Sequence, residues 1–267
     1  MEKCIVVPYD FSEPAKNALT KAHEIAKHIK KPIVLIHIVK SDNEIEAKQS
    51  QFDSVASEFL KEKDDNIKIK AVVKKGSLFK KIYETAQEHN AYLAVMGTHG
   101  KNTIKKAMKV VGKFVKIAFL LVQYPGDKPI FNKILLPLDT NKKTRANLNW
   151  IKSLSYHFDL KVFLLYPVYK SDAKNSLVKR NLSFSEKILD HELIDYEIIR
   201  ANIDNNYTHE IFNKIRENEI DTLTLMSTNY KRYIKQLKRE EDLDQYKKIP
   251  ILCVNPRIDL EKLGGLT

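Results

Sequence analysis

Ala91-Tyr-Leu-Ala-Val-Met-Gly-Thr-His-Gly-Lys101 is a short apolar run that stops at two glycines three positions apart. A run of this length reads as a buried strand, and the turn Gly97-Thr98-His99-Gly100 reads as the corner after it. Glycine lacks a Cβ and tolerates positive φ, so such a corner lets backbone N–H groups approach an anion closely. The same corner also suits an ordinary strand-to-helix connection, so its meaning depends on the flanking sequence.

Upstream, Cys4-Ile-Val-Val-Pro-Tyr-Asp10 is a second apolar run, ended by an acid. Ser12 is placed to cap a helix and Pro14 to sit in its first turn, while Ala15, Ala18, Leu19, Ala22, Ile25, Ala26 and Ile29 recur at helical spacing as one apolar face. Strands are expected over Ile33–Val39 and, with an edge-like alternation, over Ile67–Val73. Helices are expected around Phe52–Leu60 and after Gly76-Ser77, the second with Leu78, Phe79, Ile82, Tyr83 and Ala86 inward. A lysine-rich helix with Ile104, Ala107, Met108 and Val111 leads to a last strand, Phe119–Val122. Alternating strands and helices imply a parallel sheet covered on both faces.

Tyr124-Pro-Gly-Asp-Lys-Pro129 breaks the periodicity, and the pattern then begins again. Lys133-Ile-Leu-Leu-Pro-Leu-Asp139 echoes the first strand, and Val168-Tyr-Lys-Ser-Asp172 echoes Ile38-Val-Lys-Ser-Asp42. Leu225-Met-Ser-Thr-Asn-Tyr-Lys231 echoes Val95–Lys101, and Ile251-Leu-Cys-Val-Asn-Pro256 echoes Leu120–Pro125. Matches in the same order at a nearly constant separation indicate two copies of one α/β domain, residues 1–125 and 130–267.

The 267 residues, 43% hydrophobic and 30% charged with seven glycines and nine prolines, fit two globular domains. No apolar run reaches the roughly 20 residues of a bilayer span, and the first residues lack a signal-peptide layout, so a cytoplasmic protein is expected. The net charge of +12 comes mostly from lysines interspersed with glutamates along helices, the pattern of a solvated surface. Nucleic acid and membrane are therefore not expected as partners. Cys4 and Cys253 lie in strand-like runs as buried thiols, and no histidine, cysteine and acid fall at metal-ligand spacing. There is no Gly-x-Ser-x-Gly elbow and no Walker lysine loop, so a dedicated enzyme is not expected.

Val7-Pro8-Tyr9-Asp10-Phe11-Ser12-Glu13, Leu35-Ile-His37-Ile38 and Met96-Gly97-Thr98-His99-Gly100-Lys101 together resemble the universal stress proteins in their tandem form. The resemblance implies two Rossmann-like domains of the adenine nucleotide alpha hydrolase-like type, each with a five-stranded, mainly parallel sheet flanked by helices. It implies a binding or regulatory role in stress response, with ATP or another adenine nucleotide at Pro8, Tyr9, Asp10, Ile38, Gly97, Thr98, His99, Gly100 and Lys101. Self-association or a protein partner is implied too.

Two departures qualify this. The family's phosphate loop continues nine residues past its second glycine with glycine and a hydroxyl residue, where this chain has Val110 and Val111; Gly112 comes late and precedes Lys113. The second copy keeps Asp139 but carries Ser227-Thr-Asn-Tyr230 in place of the glycine pair, and no nucleotide is expected there. The residues also admit plain structural roles: Asp10 as a cap, His99 as a turn residue and His37 as a hydrogen-bonded core histidine. A nucleotide-free scaffold is the alternative reading of the whole chain.

Overall fold

A computed structural model describes residues 3–63, 66–98, 117–122, 129–202, 206–229 and 249–255. The chain forms two compact units, Met1–Pro125 and Gly126–Thr267.

The first unit runs β1 (Cys4–Pro8), α1 (Glu13–Ile29), β2 (Ile33–Val39), α2 (Ile45–Lys63), β3 (Ile69–Lys75), α3 (Leu78–Glu88), β4 (Ala91–Gly97) and β5 (Ala118–Val122). Its strands are parallel in the order β3-β2-β1-β4-β5. The chain winds outward from β1 in both directions, so the gap between the ends of β1 and β4 is the switch point at which ligands bind in open α/β sheets. Every residue of β1 and β5 is buried, as their unbroken apolar runs require. The whole apolar face read along α1 is buried against the sheet, with Ser12 accepting from the Ala15 N–H as N-cap. A helix face of this kind is held by hydrophobic burial worth about 1.5–3 kcal/mol per large side chain.

One strand and two helix faces differ from the sequence reading. Strand β3 is displaced two residues toward the C-terminus, because Lys74 and Lys75 continue its pairing with Ile38 and Val39. Helix α2 buries only Phe52 and Ala56, with Val55, Phe59 and Leu60 at the margin. Leu78, expected inward, is 40% exposed because α3 begins there; Thr85 takes an inward place beside Ile82 and Ala86. The helix expected around Ile104–Val111 and the break around Tyr124 lie outside the described residues.

The second unit runs β6 (Lys133–Pro137), a 3-10 turn (Lys142–Arg145), α4 (Ala146–Ser155), β7 (Lys161–Tyr166), α5 (Asp172–His191), β8 (Asp195–Arg200), α6 (Tyr207–Glu217), β9 (Thr222–Met226) and β10 (Ile251–Val254). Its parallel order, β10-β9-β6-β7-β8, is the order of the first unit with β6 in the place of β1. Buried Asp221 ties the starts of two strands together, accepting from the backbone N–H of Asn132 at 3.1 Å and of Lys133 at 2.7 Å.

Candidate functional site

The nine sequence-selected residues divide between two strand ends and a corner. Pro8 closes β1, with Tyr9 and Asp10 after it, and Ile38 lies near the end of β2. Gly97 closes β4 and Thr98 follows it. These six share the carboxyl edge of one parallel sheet, around its switch point. His99, Gly100 and Lys101, together with Val110, Val111, Gly112 and Lys113, lie outside the described residues.

Several of the six also have structural work. Asp10 is exposed, and its Oδ1 accepts from the Ser12 hydroxyl and from the Ser12 N–H at 3.2 Å. The turn passes through Phe11 at φ 64°, a left-handed conformation that an Asx-type turn helps to hold. Thr98 is buried and extends the ladder, its N–H donating to the Val122 carbonyl at 2.9 Å. At Gly97 a Cβ would stand 2.1 Å from the Pro14 carbonyl oxygen and 2.7 Å from the Ala15 nitrogen. The missing side chain is the space in which the first turn of α1 seats.

Beside Asp10 lies an aromatic cluster the sequence did not announce. Phe11 packs edge-on to His37 at 4.9 Å and to Tyr9 at 5.5 Å, and fully buried Phe52 of α2 closes the group from below. His37 Nδ1 donates to the Tyr9 carbonyl at 2.8 Å, the hydrogen-bonded role expected of a strand histidine. Lys48 stands 5.2 Å over the Phe11 ring. Tyr9 and Phe52 are buried, while Phe11 and His37 are partly exposed, so the cluster packs the sheet's carboxyl edge and brings two ring edges to its surface.

The second unit treats the same edge differently. Pairing of β1 with β2 and β4, and of β6 with β7 and β9, places Leu138 where Tyr9 stands, Tyr166 at His37, Pro167 at Ile38 and Met226 at Gly97. The motif match by methionine, which aligned Met96 with Met226 and Val168 with Ile38, is therefore one residue out of register. Met226 carries a Cβ where Gly97 has none, and β6 is followed by the 3-10 segment Lys142–Arg145 ahead of α4, whereas β1 leads directly into the first turn of α1. Pro167 has no backbone N–H to offer a ligand.

The edge is also filled with its own hydrogen bonds. The Tyr207 hydroxyl is shared between the carbonyls of Leu138 and Leu165, each at 2.7 Å. Burial, first, and then the charge of Asp139 push its pKa well above the ordinary tyrosine value, so it is a permanent donor. Asp139 accepts from the Asn141 N–H at 2.8 Å and from Asn229 Nδ2 at 3.2 Å, and its carbonyl accepts from Asn181 Nδ2 at 2.7 Å. Nearby, a cavity of about 290 Å³ opens between the end of β7 and α5, lined by Tyr166, Pro167, Val168, Asp172 and Lys179 among others. Asn175 in its wall is committed to the backbone of Tyr169, accepting from its N–H at 2.7 Å and donating to its carbonyl at 2.8 Å.

The model of the universal stress protein family matches residues 1–113, which hold all nine selected positions. This match spans less than half of the chain. A universal stress protein from Archaeoglobus fulgidus DSM 4304 superposes on the whole chain with a TM-score of 0.72 at 14% identity, covering 96% of this chain and 97% of its own. A functionally unknown protein from Pseudomonas aeruginosa PAO1 gives 0.59 at 15% identity, over 100% and 98%. The cytoplasmic domain of a prokaryotic cation chloride cotransporter gives 0.51 at 11% identity, over 97% of each. At these identities the likeness is one of fold, and it extends through the second unit. No curated protein gives a significant match. Among the described residues, no group of three His, Cys, Asp or Glu side chains is arranged to hold a metal, and no helix is long and apolar enough to cross a membrane.

Proposed function

We propose that this chain is a stress-response binding module of the universal stress type, with an adenine nucleotide such as ATP taken up by the first unit alone. The observation that carries this reading is the asymmetry of the paired aspartates: Asp10 is exposed at the switch point and accepts from Ser12 of its own turn, whereas Asp139 is half-buried and accepts across the edge from Asn229 as well as from Asn141 of its own turn. In unit 1 the base and ribose face Pro8, Tyr9, Asp10 and Ile38, and the phosphates lie beyond Gly97 and Thr98, toward His99, Gly100 and Lys101. In unit 2 Pro167, Met226 and the Tyr207 hydroxyl occupy the corresponding positions.

The role is binding rather than catalysis, in the cytoplasm. Nucleotide occupancy shifts the protein between states of different affinity for a protein partner or a second copy. Calorimetric titration of nucleotide-stripped protein with ATP tests this, using Asp10→Ala, Gly100→Trp and Asp139→Ala variants. One equivalent bound at micromolar affinity, lost in the first two variants and kept in the third, is expected. Absence of heat into the millimolar range would make the chain a nucleotide-free scaffold, consistent with the use of Gly97 for helix packing.

A further inference from the structure

Arg145 closes the 3-10 turn after β6, on the side of unit 2 where the polar network lies. Its Nε donates to Asn181 Oδ1 at 2.9 Å, and its guanidinium carbon stands 4.3 Å over the Phe184 ring. Asn181 is itself buried and fixed, since its Nδ2 donates to the Asp139 carbonyl. One hydrogen bond and one stacking contact therefore set both the position and the plane of the guanidinium.

Arg145 makes no ion pair among the described residues, although Asp139 belongs to the same loop. Burial lowers the Arg145 pKa with no carboxylate acting against it. A partly buried charge ordinarily has a partner, because desolvation without one is costly. Asn181 and Phe184 satisfy the Nε edge and one face, and among the described residues no acceptor meets the two Nη groups, a planar pair of donors. The same turn carries Lys142 and Lys143 and no acid. A fork of guanidinium donors beside ammonium groups suits an oxyanion of more than one charge better than a single carboxylate.

We propose that Arg145 is the anchor of an oxyanion site in the second unit, accepting the phosphate group of a small metabolite or free inorganic phosphate on its Nη edge. This site is separate from the nucleotide positions of the first unit and does not depend on them.

The Arg145 Nε–H resonance, recognised by its absence in Arg145→Lys, reads the site directly in the full-length protein. It is expected to move saturably on titration with inorganic phosphate, to move much less with acetate at matched ionic strength, and to respond identically in Asp10→Ala. Phosphate is also expected to raise the melting temperature of the wild type but not of Arg145→Gln, with Arg145→Lys losing about tenfold or more in affinity because it keeps charge without the fork. A ribose phosphate tried after inorganic phosphate distinguishes a metabolite from the free ion by tighter binding. An Nε–H resonance unmoved by phosphate would overturn the site, an equal response to acetate would overturn the phosphate class, and unchanged affinity in Arg145→Lys would overturn the role of the fork.

Discussion

Alanine at position 97 would drive a methyl group to 2.1 Å from the Pro14 carbonyl oxygen, a distance that main-chain atoms at a helix start cannot absorb without moving. Gly97→Ala is therefore expected to destabilise the protein by about 1–3 kcal/mol or more, as overpacking does, in denaturant unfolding without any ligand present. A second test at this scale concerns Asp221, whose carboxyl pKa is raised by burial against the pull of hydrogen bonds from Lys133, Thr222 and Asn132. A raised value means that the folded protein holds the proton longer than the unfolded chain. The associated stability is thus complete below the ordinary aspartate value of 3.8 and is lost as pH rises through the folded value. Compared with Asp221→Asn, the wild type should have its largest relative stability in acid, and this margin should shrink with rising pH in parallel denaturation series.

At the scale of elements, α2 has the thinnest anchorage among the described helices of the first unit, since only Phe52 and Ala56 are buried. Phe52→Ala removes the ring that closes the Tyr9, Phe11 and His37 cluster and should cost about 3–5 kcal/mol. Hydrogen exchange should show where that cost falls: α2 opening early while β1 and β4 stay protected. A uniform loss of protection would mean instead that the cluster supports the whole sheet. The elements themselves were largely legible in the sequence, because unbroken apolar runs such as Ile33–Val39 and the spacing along α1 carry their own periodicity. The edge chemistry was not. Arg145, Asn181, Tyr207 and Asn229 are far apart in the chain and meet only once the strands are ordered. Their one sequence signal is the pair Asn181 and Ser185, polar residues set at helical spacing within the buried face of α5. Register failed for a related reason: two methionines looked equivalent, whereas strand pairing aligns Met226 with Gly97.

For the molecule as a whole, the two units share one strand order but treat the same edge in opposite ways. In the first unit that edge is aromatic around an exposed aspartate; in the second it is a network of amides and a tyrosine hydroxyl. Saturation with ATP should consequently slow hydrogen exchange at the ends of β1, β2 and β4 and leave β6, β7 and β9 unchanged. Equal slowing in both units would assign nucleotide to both and refute the asymmetry.

Gly97 has an evolutionary corollary. A glycine that seats a helix is under selection from folding alone, so it survives in a lineage that has stopped using its ligand, while the later, unseated part of the loop is free to drift. Val110 and Val111 stand where such drift is expected. Where a side chain stands at that position, as Met226 does, the helix start must be built differently, and a change to glycine there would open a gap without supplying a helix to fill it. The passage from a unit with this seat to one without it therefore runs much more easily in one direction than in the other.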